Sequence, residues 1–151
     1  MKLVIQRVKQ AGVTVDGREV SRIGPGALIL VGVAKGDTSA DIKYLARKTS
    51  QLRIYDDEQG KLNAAIDARK GTFLAVSQFT LYADCAKGNR PSYIEAAQPE
   101  DANRLYEDFC RELRLLGHVV QTGVFGGRMA VDLVNDGPVT IILESRGRVQ
   151  P

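Results

Sequence analysis

Only two stretches of this chain repeat apolar residues at helical spacing, and what lies between them reads as short strands and turns. Ile42, Leu45, Ala46, Thr49 and Leu52 recur three or four apart, which predicts an amphipathic helix over residues 39 to about 52. Asp37, Thr38 and Ser39 are its N-cap candidates. Leu105, Phe109, Leu113 and Leu116 form a second stripe. Pro99 stands near the start of that helix, Glu100 and Asp101 favour its first turn, and Gly117 ends it. Elsewhere "KLVIQRV" and "GVTVDG" read as two short strands with a turn at residues 10–12, followed by "REVSRIG" and the buried run "ALILVGVA" (27–34). "TFLAVSQFTLY" (72–82) reads as one more strand, then "HVVQTG", "RMAVDLV" and "VTIILES", whereas "KLNAAID" is ambiguous. Strands clustered around two helices argue against a doubly wound fold and for α+β with a largely antiparallel or mixed β-sheet.

The chain has 151 residues, 44% apolar and 26% charged, without a repeat or a linker, so residues 1–151 are expected to form a single domain. A chain of this length buries roughly 68–70% of its unfolded surface and needs no disulfide or metal staple. Cys85 and Cys110 have neither redox nor metal-ligand spacing and are expected to be free thiols. The run "LVI" before Gln6 and Arg7 is too short for a signal peptide or membrane span, so a cytoplasmic protein is expected. The net charge of +3 admits a nucleic-acid partner without requiring one. Two basic segments stand out, "AKGNRP" (86–91) and the tail "ESRGRVQ" (144–150); each reads equally well as solvated surface.

Most catalytic constellations are absent. The single histidine, His118, follows the second helix and reads as a helix-terminal residue engaging the last carbonyls, not as a triad member. A zinc site has too few ligands, and no phosphate-binding loop or dinucleotide fingerprint occurs. "SQFT" (77–80) brings two hydroxyls and an amide to a strand exit, where consecutive main-chain N–H groups can bind an oxyanion. "NDGPVT" (135–140) lies between two strand patterns. It is either a plain hairpin turn or a place where Gly137-Pro138 holds an unusual backbone shape.

"SQFTLYAD" (77–84) and "NDGPVT", supported by "IGPG", "GVAKGDT", "KGNRPSY" and "TGVFG" in order along the chain, resemble the D-aminoacyl-tRNA deacylase family. Arg128 and Asp132 depart from it by adding charge beside Met129. The resemblance implies a barrel-like sheet, a homodimer, no cofactor and no metal, and hydrolysis of D-aminoacyl-tRNA at its acceptor end. It implies a cis Gly137-Pro138 bond whose carbonyls enter the other subunit's pocket, accept from the substrate amino group and occupy the space an L side chain needs. Glycyl esters, with no side chain to exclude, are then expected to be cleaved too. It further implies that Phe79 and Thr80 supply main-chain oxyanion donors, that Ser77 and Gln78 line the pocket, and that Phe125 offers its carbonyl beside Met129. The basic "AKGNRP" loop is implied to sit near the acceptor end. Activation is expected from the terminal ribose 2′-hydroxyl; the rival is Thr80 as nucleophile, which has no visible base. Two non-enzymatic readings compete: a non-catalytic module binding the tRNA acceptor end, and a purely structural dimer.

Overall fold

In the computed structural model, residues 1–69 and 71–148 are described; the end of the basic tail, 149–150, lies outside them. Eight strands and two helices follow in the order β1 (Lys2–Val15), β2 (Arg18–Ile23), β3 (Gly26–Gly32), α1 (Ser39–Ser50), β4 (Tyr55–Asp56), β5 (Leu62–Ala64), β6 (Thr72–Ser77), α2 (Pro99–Leu115), β7 (Val120–Thr122) and β8 (Met129–Glu144). The main sheet runs β2-β1-β3-β6-β7, with β8 on the other side of β1; β4 and β5 pair separately. β3–β6 and β6–β7 are parallel and the other pairings antiparallel, so the sheet is mixed, as expected.

Alternation along the strands divides the core. Leu3, Ile5, Ile29, Val31, Phe73 and Ala75 face the helices and pack on Leu45, Leu105, Phe109 and Leu113. Val8, Val13, Ile23, Leu28, Leu74 and Val76 point the other way, into the curl of the nearly closed, barrel-like sheet. β3 and β6 approach so closely that a Cβ on Gly26 would lie 1.9 Å from the Thr72 carbonyl oxygen. Thr38 is the N-cap of α1, in a reciprocal capping box with Asp41. Asp37 instead pairs with the buried Met1 ammonium at 2.5 Å and accepts from the Ala34 N–H at 2.6 Å.

Three strand expectations are corrected. Residues 2–15 form one strand, because β8 runs beside almost its whole length and overrides the turn chemistry of residues 10–12. β8 is likewise a single strand with no hairpin at "NDGPVT". Between the pairs Gln6–Thr140 and Val8–Asn135 the second strand carries surplus residues, which stand out as a bulge. The run 72–82 is a strand only to Ser77; Phe79–Tyr82 form a 3₁₀ turn. The ambiguous segment after residue 60 resolves into β5 and a short 3₁₀ turn, Ile66–Arg69.

α2 begins with Pro99 at its first turn and closes on Gly117, whose φ is +95°. The Gly117 N–H reaches the Arg114 carbonyl at 3.0 Å and the His118 N–H reaches that of Leu113 at 3.2 Å, a Schellman pair. His118 therefore serves the helix end with its main chain. Its ring, contrary to expectation, turns away: Nε2 lies 2.7 Å from Ser50 Oγ, Nδ1 lies 3.0 Å from Asp67 Oδ1, and Phe73 packs edge-on. Among the described residues no helix is long and apolar enough to cross a membrane.

Candidate active site

The site begins where β6 runs out of partner. Ser77 pairs with Val31, the Gln78 N–H donates to the Val31 carbonyl at 2.8 Å, and the chain then tightens into the 3₁₀ turn. Phe79 and Thr80 are the first residues of that turn, so their N–H groups have no preceding turn to supply acceptors. The turn lies close over β3: a Cβ on Gly32 would stand 3.1 Å from Leu81 Cβ and 3.3 Å from the Gln78 carbonyl oxygen. Gln78 does not cap the turn; its amide donates to Thr80 Oγ1 in a very close contact.

A cavity of about 610 Å³ opens beside this strand end. Ser77, Gln78 and Phe79 form one wall. Phe125, Gly126 and Gly127 after β7, with Met129 and Val131 of β8, form a second, and Ala96, Ala97, Gln98, Pro99 and Ala102 at the start of α2 a third. Met129 is seated by the absence of a side chain at Gly123, where a Cβ would lie 2.7 Å from its sulfur. The Val124 N–H points at the same sulfur, 3.4 Å away. Among the described residues no Asp, Glu, His, Lys, Arg or Cys lines the cavity, and Tyr93 is their one ionisable side chain in its wall. Among the described residues, chemistry here has main-chain dipoles, the Gln78 and Gln98 amides and the Ser77 and Tyr93 hydroxyls to work with, and no carboxylate, imidazole or amine.

Of the residues singled out from sequence, Ser77, Gln78, Phe79, Phe125 and Met129 line this cavity. Thr80, Gly137 and Pro138 do not. Tyr93 and the α2 entry, 96–99, were not anticipated as wall residues. They arrive through tertiary contacts, the Ala34–Ala96 bridge and the bond from the Ala97 N–H to the Val33 carbonyl at 3.0 Å, for which the sequence carries no local signal.

Gly137 and Pro138 form the exposed crest of the β8 bulge, and the peptide bond between them is cis. Two side chains fix the bulge from below. Asn135 Oδ1 accepts from the Val139 N–H at 2.9 Å while its Nδ2 donates to Thr140 Oγ1 at 3.2 Å, closing the loop's base. The buried Arg7 donates from Nε to the Asp136 carbonyl at 3.0 Å and from Nη1 to that of Ile54 at 2.7 Å. Gly137 has φ +125°, and a Cβ there would lie 2.9 Å from Val139 Cγ2 and 3.0 Å from Arg7 Nη2. The unusual-backbone alternative for "NDGPVT" thus describes the segment. Of the two departures from the family pattern, Asp132 takes a two-pronged bond from Arg22 at 3.1 and 3.2 Å, far along β8 from the bulge, and Arg128 is exposed beside Met129.

Residues 4–144 match the family described as D-Tyr-tRNA(Tyr) deacylase. A D-aminoacyl-tRNA deacylase of Desulforamulus reducens is 53% identical over 146 residues, covering 97% of this chain and 98% of the relative. One from Thermomicrobium roseum is 56% identical over 145 residues, covering 96% and 94%. Among solved structures, a c-Myc DNA unwinding element binding protein superposes with a TM-score of 0.91 at 40% identity, over 96% of this chain and 99% of that one. A structure described as a probable eukaryotic D-amino acid tRNA deacylase, at 16% identity and a TM-score of 0.79 over 94% and 97%, shares the fold.

Proposed function

The chain belongs to the D-Tyr-tRNA(Tyr) deacylase family, and from that premise we propose that it hydrolyses the ester of D-aminoacyl-tRNA and rejects L-aminoacyl groups by exclusion. It is a hydrolase acting on a carboxylic ester, working as a cytoplasmic homodimer without cofactor or metal. The observation that carries the mechanism is a cavity that no charged side chain of the described residues lines, set beside the first main-chain N–H groups of the 3₁₀ turn at its strand end. The ester carbonyl oxygen lies against the N–H groups of Phe79 and Thr80, which stabilise the oxyanion as it forms. Water attacks the carbonyl carbon, the bond to the ribose 3′-oxygen breaks, and that oxygen leaves with a proton. With no carboxylate or imidazole in the wall among the described residues, the neighbouring 2′-hydroxyl relays the proton from the attacking water. Ser77 and Gln78 shape the wall around the reacting centre, and the Phe125 carbonyl accepts from the α-amino group with Met129 packed behind it.

Handedness is read by exclusion. Gly137 and Pro138 lie outside their own chain's cavity on an exposed, braced bulge, which suits a role in a neighbour's pocket. There the carbonyls of Gly137 and Pro138 of the partner subunit accept from the amino group and fill the volume an L side chain requires, while a D side chain points to solvent. Glycine has nothing to exclude, so glycyl-tRNA is a substrate as well. Release of amino acid from D-tyrosyl-, L-tyrosyl- and glycyl-tRNA, measured in parallel, tests this reading. Cleavage of the first and third but not the second is expected. Binding of D-tyrosyl-tRNA without release would replace the enzyme by a binding module, and inert glycyl-tRNA would overturn steric rejection.

A further inference from the structure

The basic tail leaves β8 from a fixed root. Ser145 is buried, and its N–H donates to the Met1 carbonyl at 3.0 Å. Arg146 follows and engages two partners. Its Nη1 and Nη2 lie 3.3 and 3.2 Å from one Glu95 carboxylate oxygen, while its Cζ stands over the Tyr82 ring, 5.7 Å from the centroid. Glu95 leads into the third cavity wall and is held there by main-chain bonds that do not involve Arg146. The Lys35 N–H donates to the Glu95 carbonyl and the Ala97 N–H to that of Val33, both at 3.0 Å. Tyr82, the other partner, ends the 3₁₀ turn that Phe79 and Thr80 begin. Inside the turn the Leu81 N–H reaches the Gln78 carbonyl at 3.3 Å and the Ala83 N–H that of Thr80 at 3.0 Å. Side chains hold it from outside. Lys2 Nζ lies 3.5 Å from the Leu81 carbonyl oxygen and 5.3 Å from the Tyr82 centroid. Gly32 makes room for the ring, since a Cβ there would stand 3.2 Å from Tyr82 Cε2.

Resting on the deacylase reading above, we infer that Arg146 is a positioning residue for the oxyanion donors. Glu95 is the fixed post, the guanidinium fork is oriented by it, and the cation draws the Tyr82 face towards itself. The 3₁₀ turn is thereby held so that the Phe79 and Thr80 N–H groups meet the developing charge. Arg146 acts through Tyr82 and touches neither the substrate nor the reacting atoms. An ion pair whose members are 51% and 57% exposed adds little to global stability, so its consequence lies in local placement. Donors aimed at an oxyanion act most strongly once charge has formed, so loss of the latch lowers kcat and leaves KM in place.

The test measures kcat and KM of Arg146→Ala, Arg146→Lys, Glu95→Gln and the Arg146→Ala, Glu95→Gln double variant, with urea midpoints alongside. Each is assayed on D-tyrosyl-tRNA and on the small ester D-tyrosyl adenosine. Arg146→Ala is expected to lower kcat about tenfold on both substrates, less than the roughly hundredfold or greater loss when an oxyanion donor is removed outright. Its KM should stay within about twofold, because ground-state binding is untouched. Its urea midpoint should match the parent's. Arg146→Lys keeps a cation beside the ring and should recover most of kcat. Glu95→Gln should lower kcat alone yet add nothing to Arg146→Ala, since both act through one chain of contacts. An Arg146→Ala protein with undiminished kcat would overturn the inference. So would a rise in KM confined to the tRNA, which would make Arg146 a phosphate contact. A kcat loss that tracks a lowered urea midpoint and is not recovered by lysine would reduce the latch to a structural tie. An unaltered protein that cleaves neither substrate would overturn the deacylase reading itself.

Discussion

Arg7 reaches from β1 to hold the Asp136 carbonyl at 3.0 Å, so the strand that opens the sheet fixes the bulge on the strand that ends it. The guanidinium is 8% exposed and spans four partners at once: that carbonyl, the Ile54 carbonyl at 2.7 Å, the Asp136 carboxylate at 3.4 Å and the Asp56 carboxylate at 3.8 Å. A planar fork can serve these directions together, whereas an ammonium cannot. Arg7→Met leaves both carbonyls without their donor, at roughly 1–3 kcal/mol for each buried unsatisfied group. Arg7→Lys keeps the charge and is expected to keep most of the stability while loosening the bulge. Urea midpoints paired with the ratio of D- to L-tyrosyl-tRNA cleavage check this: the lysine variant should lose discrimination more than stability. A lysine variant that keeps full discrimination would dissociate Arg7 from selection.

Gly137 sits where a side chain meets both strain and crowding. Its φ of +125° is one that L side chains rarely adopt, and a Cβ would press on Val139 and Arg7. Gly137→Ala is expected to cost about 1–3 kcal/mol of backbone strain, relieved by reshaping the bulge. Cleavage of L-tyrosyl-tRNA should rise in that variant as D-tyrosyl cleavage falls, measured at a temperature where both proteins are folded.

The helices were legible because their signals are local: Thr38 with Asp41, Pro99 at the first turn and Gly117 after the last all act within a few residues. The two long strands were not. The turn chemistry at residues 10–12 and 135–138 is genuine, but pairing between β1 and β8 carries the chain through both places, in unbroken register at 10–12 and as a bulge at 136–139. Ser77, Gln78 and Phe79 could be singled out because polar residues at a buried strand's exit are conspicuous in sequence. Tyr93 and Gln98 could not, since only the docking of their segment against Val33, Ala34 and Lys35, just past β3, brings them to the wall.

His118, the sole histidine, should be dispensable for turnover. It lies outside the cavity, with its ring buried against Phe73 and bonded to Ser50 and Asp67. His118→Ala removes that packing and those bonds, and a loss of roughly 2–4 kcal/mol is expected by analogy with other large-to-small core changes. Its kcat/KM for D-tyrosyl-tRNA below the melting transition should match the parent within about twofold, a difference of only a few tenths of a kcal/mol. A hundredfold fall would place the ring in the chemistry.

Stability should decline on the alkaline side before activity reports any protein base. Burial pushes the Cys110 thiol up to about 11 from 9.0 and the Tyr55 hydroxyl up to about 12 from 10.0. Both groups are neutral when folded and ionise first in the unfolded chain. Their contribution is therefore complete below pH 9 and lost as pH rises through 11 and then 12. Urea midpoints taken from pH 7 upwards should fall across that window, and Cys110→Ala should flatten its lower part while lowering the plateau. On the acid side, burial raises Asp41, but hydrogen bonds from Ser145 and Thr38 outweigh it and hold the carboxyl below its usual value. Its contribution is present above the ordinary carboxylate range and lost as pH falls through that lowered value.

The Thr80 hydroxyl and the ribose 2′-hydroxyl are rival candidates for the activating role, and they make opposite predictions. Thr80 Oγ1 is engaged by the Gln78 amide, a donor that can take no proton from it, and the hydroxyl does not line the cavity. An alkoxide there would need a base, and the described residues of the wall include no carboxylate or imidazole. The substrate's own hydroxyl is adjacent to the ester in every aminoacyl-tRNA and needs no protein partner to be in position. Thr80→Ala should therefore keep turnover within a few-fold, because its main-chain N–H survives the substitution. D-tyrosyl-tRNA ending in 2′-deoxyadenosine should lose about two to four orders of magnitude, the usual contribution of a positioned proton-transfer group. The opposite pattern, an inert Thr80→Ala and an undiminished deoxy substrate, would make Thr80 the nucleophile, and a covalent acyl-threonine trapped by rapid acid quench would then be its signature.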